Sequence, residues 1–123
     1  VDTRDIAAAA AATLTTDIFD NQAFDLTGPE AFGYAEAAQM LSAATGRKIG
    51  YRSIADAPFI EALRAAGLDA AYAHMLAAIF YPVREGWTAP VTDAVEKLTG
   101  RKPRTLKAYV EENAEKFAVK AAA

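Results

Sequence analysis

Alanine occupies 31 of the 123 positions, six of them in the unbroken run Ala7 to Ala12. This one feature narrows what the chain can build. Alanine is the strongest intrinsic helix former, brings no side-chain entropy cost and fills little volume. A mostly helical chain with thin side-chain packing is expected. The run is too short and too weakly apolar to cross a bilayer, which takes roughly 20 apolar residues, and no apolar run in the chain approaches that length. With 53% hydrophobic and 24% charged residues, the chain has enough apolar material for a core and is not a disordered tail. Its length suits one domain.

Charge and cysteine content exclude whole classes of function. A net charge of -3 and a pI near 5.1 provide no basic face for phosphates, so neither nucleic acid nor an anionic membrane is an expected partner. With no cysteine, disulfides, thiol nucleophiles and Cys-type zinc sites are out, and a cytoplasmic location is the natural expectation. The single histidine, His74, cannot build a site of several imidazoles. The chain opens on Val1 rather than Met, so it is expected to be a piece of a longer product. Residues 118–123 are expected to be a frayed tail, leaving 1–117 as a single domain.

The hydrophobic spacing predicts an α/β chain dominated by helix, with two short strands and about six helices, two of them short. A helix from Thr3 or Asp5 to Thr15 carries Ile6, Ala9, Ala10 and Leu14 at helical spacing, with Asp2 and Asp5 as acceptors for its first amides. Residues 23–27 alternate and stop at Gly28-Pro29, which predicts a strand. Tyr34, Ala37, Ala38, Leu41 and Ala44 share a helical face closed by Gly46, and residues 48–54 read as a second strand. A helix from Asp56 ends at Gly67, and Asp69 starts another that continues to about Arg84, which Pro82 should kink or end. Its apolar residues Tyr72, Met75, Leu76, Ile79 and Phe80 cover so much circumference that burial on more than one side is expected. Thr92 can cap a short helix to Leu98, closed by Gly100 and Pro103. Thr105 caps the last, with Leu106, Tyr109, Val110, Asn113 and Phe117 as its buried stripe and Glu111, Glu112, Glu115 and Lys116 as a solvated face.

Chemistry is sparse. No tyrosine has a lysine four residues later, so the Tyr-x-x-x-Lys pair of many dehydrogenases is missing. The glycines, at 28, 33, 46, 50, 67, 86 and 100, nowhere form the fingerprint that seats a dinucleotide pyrophosphate. The cluster Asp2, Arg4 and Asp5 reads as a charged helix start, with Arg4 forked between carboxylates. Thr27-Gly28-Pro29-Glu30 reads as a strand-ending turn with a minor share in lining a pocket. The best binding candidates are the aromatic residues Tyr72, Phe80, Tyr81 and Trp87, because flat apolar ligands need large faces and few polar anchors. Such a stripe more often serves a core, but Trp87 sits in a turn and off any periodic face. His74 joins the set because its imidazole titrates near neutral pH.

Four stretches occur in an order and spacing that resemble one family. They are Val1-Asp2-Thr3-Arg4-Asp5-Ile6-Ala7, Phe24-Asp25-Leu26-Thr27-Gly28-Pro29-Glu30, Tyr34-Ala35-Glu36-Ala37-Ala38 with Thr45-Gly46-Arg47, and the run from Thr92 to Thr105. The last has the form T-D-x-V-x-x-L-T-G-x-x-P-R-T. The family is that of the NmrA-like, atypical short-chain dehydrogenase/reductases, close to NAD(P)H:quinone and azo- or triphenylmethane-dye reductases. The resemblance covers nearly the whole chain.

It implies the C-terminal, substrate-side part of a Rossmann-type NAD(P)-binding protein, in which a hydride passes to a flat acceptor such as a quinone. The small-molecule substrate would meet Tyr72, Phe80, Tyr81, Trp87 and His74, and no catalytic residue is assigned. NAD(P) would belong to the full-length parent and its missing N-terminal nucleotide-binding half, with none expected on this chain alone. The competing expectations are a non-enzymatic ligand-binding or redox-sensing module of the same family, or an inactive fragment. An edge strand at residues 24–27 would leave open amides, so a homodimer or other homo-oligomer is expected to cover it.

Overall fold

The computed structural model of the chain describes residues 1–117; the expected tail at 118–123 lies outside the described residues. Eight α-helices occur among the described residues: α1 (Thr3–Leu14), α2 (Tyr34–Thr45), α3 (Asp56–Ala65), α4 (Ala70–Ile79), α5 (Tyr81–Arg84), α6 (Ala94–Thr99), α7 (Leu106–Glu112) and α8 (Ala114–Phe117), with a 3-10 turn at Asp17–Phe19. They group into two compact units, one of Val1–Gly50 with the chain from Pro90 onward, the other Tyr51–Ala89.

In the first unit α1 packs on α6, and α2 on α7 and α8. Its buried apolar side chains are mostly small: Ala9, Ala38, Ala94, Val95 and Val110, with Leu98 the largest. Short side chains let helices approach closely, as the alanine content predicts. The helix ends follow local chemistry. The Asp2 carboxylate accepts from the Arg4 amide at 2.8 Å, and the Thr105 hydroxyl accepts from Ala108 N–H at 3.0 Å. Gly46 and Gly100 close α2 and α6 at φ 66° and 69°, where any side chain would be strained.

The second unit is a helical hairpin, α3 on α4, with α5 following. Asp69 caps α4 by accepting from Ala71 and Tyr72 amides at 2.8 and 3.3 Å. Arg84 and Asp56 tie α5 to the start of α3 at 2.9 Å. Only Ala73 and Ala77 are fully buried here.

Several expectations need correction. Neither predicted strand forms: residues 23–27 and 48–54 carry no regular secondary structure, and no ladder exists among the described residues. A strand is completed by a neighbour's backbone, and alternation within one segment cannot supply it. The first run is held instead through side chains, with Thr92 N–H donating to the Thr27 hydroxyl at 2.9 Å and the Thr92 hydroxyl to the Asp25 carbonyl. The second is held by Ser42, whose hydroxyl accepts from Ile49 N–H at 2.9 Å and is 3.0 Å from the Ile49 carbonyl.

The helix that begins after Asp69 is interrupted at Phe80, as expected of Pro82, which has no amide with which to continue the ladder. The last helix is likewise broken, at Asn113. α4 is not buried on more than one side, since Tyr72, Met75 and Ile79 stay half-exposed. Thr92 does not cap α6, which starts after Asp93. In α1 the buried side carries Asp5 and Ala9, while Ile6 and Leu14 face outward.

Candidate functional site

The candidate residues all lie in the second unit, but they do not converge. At 3.6 residues per turn, Tyr72, Met75 and Ile79 share roughly 60° of α4, on the side away from Ala73 and Ala77. His74 lies roughly 160° round the helix from Tyr72 and faces elsewhere. It lines a groove of about 920 Å³ between α3 and α4, together with Ile60, Glu61, Arg64, Leu68 and Asp69. Phe80 turns inward and meets Phe59 edge to face, with centroids 5.7 Å apart. Tyr81 meets Trp87 in the same manner at 5.6 Å.

Trp87 is 65% exposed and Tyr81 49%. Edge-to-face contact contributes about 0.5–1.5 kcal/mol beyond area burial, so the pair holds its shape while leaving wide aromatic surface open. The turn that carries Trp87 depends on Gly86 at φ 74°. The structure therefore separates three things that the sequence grouped. Phe80 belongs to the packing of α3 on α4 and α5, His74 to the groove, and Tyr81 with Trp87 to an open aromatic corner. Sequence reasoning missed that Met75 and Ile79 share the open face with Tyr72. It also missed Glu61 and Arg64 beside His74, although their spacing places both on one side of α3.

In the first unit, the stretches that carried the family resemblance are bonded to one another. Asp5, 4% exposed, accepts from the Arg104 backbone N–H at 2.7 Å and from the Arg104 guanidinium. Arg4 forks between Asp2 at 2.7 Å and Glu112 at 2.8 Å, so Glu112 is not simply part of a solvated face. The Arg4 guanidinium, followed by its backbone amide, pulls the Asp2 carboxyl down to about 2, and Asp2 with Glu112 in turn raises Arg4. Lys97 lies over the Phe24 ring, 5.1 Å from its centroid. These bonds tie the stretches of the first unit together.

A dinucleotide needs helix N-terminal amides free to meet its pyrophosphate. Here each of the four longest helices begins with a carboxylate: Asp2 and Asp5 at α1, Glu36 at α2, Asp56 at α3 and Asp69 at α4. The Glu36 side chain already accepts from Gly33 N–H at 2.7 Å. These four termini present carboxylates rather than free amides to a pyrophosphate. Among the described residues no group of His, Asp or Glu side chains could hold a metal ion, and no helix is long and apolar enough to cross a membrane.

No family model matches the chain. It is 38% identical over 109 residues to the uncharacterized oxidoreductase YesF of Bacillus subtilis, covering 89% of this chain and 38% of that protein. It is 36% identical over 117 residues to an NAD(P)H azoreductase of Xenophilus azovorans, covering 95% and 41%. Among solved structures, an NADPH-dependent quinone oxidoreductase from Escherichia coli superposes with a TM-score of 0.79 at 28% identity, covering 88% of this chain and 39% of that one. The chain thus spans about two-fifths of the length of each.

Proposed function

We infer, from this chain's place among the NmrA-like, atypical short-chain dehydrogenase/reductases, that it is the substrate-side portion of an NAD(P)-dependent reductase acting on a flat acceptor such as a quinone. The observation that carries this reading is the open aromatic corner. Trp87 and Tyr81 hold each other edge to face while Trp87 remains 65% exposed, an arrangement suited to stacking a planar ring rather than filling a core. The half-exposed Tyr72 adds a third aromatic surface to the same unit. Hydride chemistry belongs to the nicotinamide, which a separate nucleotide-binding half supplies. This chain contributes position and enclosure. A cytoplasmic setting and a partner covering residues 24–27, either that half or a second copy, belong to the same reading.

Trp87 is the sole tryptophan, so its fluorescence reports this corner directly. Titrating the chain with 2-methyl-1,4-naphthoquinone is expected to quench Trp87 saturably, and Tyr81→Ala to weaken that binding about tenfold, roughly 1.4 kcal/mol. NADPH added alone is expected to give no saturable signal. Linear, collisional quenching by the quinone in both proteins overturns the reading.

A further inference from the structure

In the first unit, residues 22–28 hold no helix, turn or bend, and none of them has a positive φ. The backbone N–H groups of Phe24, Asp25, Leu26, Thr27 and Gly28 donate to nothing among the described residues. A row of open amides is a template on which another strand can pair. The segment is also held in place without that partner. The Thr92 hydroxyl donates to the Asp25 carbonyl, and Thr92 N–H to the Thr27 hydroxyl. The Phe24 ring meets Phe19 edge to face at 5.8 Å and lies 5.1 Å from the Lys97 ammonium. Phe24 and Leu26 are half-buried while Ala23 and Asp25 are exposed, the alternation of a strand whose register is fixed by its buried side.

Two observations choose the partner. A second copy could offer only another lone segment, since no ladder exists among the described residues, and a two-stranded ribbon is marginally stable in water. A dinucleotide-binding half of the doubly wound kind offers a mostly parallel sheet. Val1 gives the direction. Its backbone nitrogen lies 3.8 Å from where a Cβ on Gly28 would stand, so α1 begins level with the far end of the segment that follows it. That is the geometry of a crossover helix, in which the strand leading into the helix and the strand after it run parallel with their ends level.

We propose that residues 24–28 are a docking edge that adds, as a parallel strand, to the sheet of the nucleotide-binding half, beside the strand that leads into α1. The inference rests on the preceding reading that such a half completes the reductase, and it names the surface through which that half is joined. Because Thr92, Phe19 and Lys97 already order the segment, little of the pairing energy is lost in fixing its backbone.

The test is a chimera in which this chain replaces the stretch that it matches in the Xenophilus azovorans azoreductase, compared with the chain alone by amide hydrogen exchange. In the chain alone the amides of residues 24–28 are expected to exchange well ahead of Ile49, whose N–H is bonded to Ser42. In the chimera they are expected to slow about a hundredfold, with nuclear Overhauser contacts in the parallel pattern to the residues that lead into Val1. Unchanged exchange in a chimera whose α2 and α7 amides stay protected overturns the proposal, as does an antiparallel pattern. Protection of residues 24–28 in the chain alone that grows with its concentration overturns it in favour of a second copy. Slowed amides in a chimera that does not oxidise NADPH with 2-methyl-1,4-naphthoquinone leave the docking edge standing and overturn the acceptor reading instead.

Discussion

Replacing Arg104 by alanine is expected to destabilise the chain more than replacing its partner Asp5 by asparagine, and the reason lies in which charge is left behind. The Asp5 side chain is only 6% exposed, whereas that of Arg104 is 36% exposed. In Asp5→Asn the amide oxygen can still accept from the Arg104 backbone N–H, now at 2.7 Å, and the partly open guanidinium rehydrates. That loss is about 1–2 kcal/mol, one charge-assisted bond discounted for exposure. In Arg104→Ala a buried carboxylate keeps one N–H and no counter-ion, which costs about 3 kcal/mol, the lower end for breaking a buried pair.

The double variant removes both the charge and its partner. It is therefore expected to be more stable than Arg104→Ala alone, by about 1 kcal/mol or more. Urea unfolding of the four proteins, followed by far-ultraviolet circular dichroism, measures all three differences. A double variant as unstable as the sum of the two singles would refute the reasoning, because Asp5 would then not behave as a buried charge at all.

Asp2 supplies a pH-dependent test. Its folded value, about 2, lies below the ordinary 3.8, so its contribution is complete above roughly pH 4 and fades as pH falls toward 2. An NMR titration of its carboxyl carbon should place the midpoint near 2, and Arg4→Ala should return it toward 3.8; an unchanged midpoint would show that Arg4 is not the cause. Thr92→Val removes the hydroxyl that donates to the Asp25 carbonyl and is expected to cost about 1 kcal/mol, with faster amide exchange at residues 24–28 as the local readout. Ser42→Ala should cost about 1–2 kcal/mol by orphaning Ile49 N–H, and protection of that one amide checks it. Gly100→Ala, at φ 69°, should lose about 1 kcal/mol in thermal unfolding, since the left-handed region penalises a Cβ.

Much of the helical layout was legible in the sequence because helix signals are local. Asp2, Asp69 and Thr105 cap the helices that they were expected to cap, and Gly46 and Gly100 end theirs. Pro82 falls where α4 gives way to α5. The candidate site was legible only in its composition. Tyr81 and Trp87 do meet, but Phe80 and His74 leave the set, because Phe80 turns toward Phe59 and the helical phase of α4 directs His74 into the groove.

The sequence by itself determined where most helices begin or end, that small side chains would pack them, and which family the chain resembles. Each of these depends on residues a few positions apart or on an ordered pattern of motifs. Only the tertiary structure decided what those motifs touch. Asp5 bonds Arg104 across 99 positions and Thr27 bonds Thr92 across 65, while the two segments expected as strands find no strand to pair with among the described residues. Capping is satisfied within one turn of chain, but a ladder or a buried ion pair exists only when a distant segment arrives to complete it.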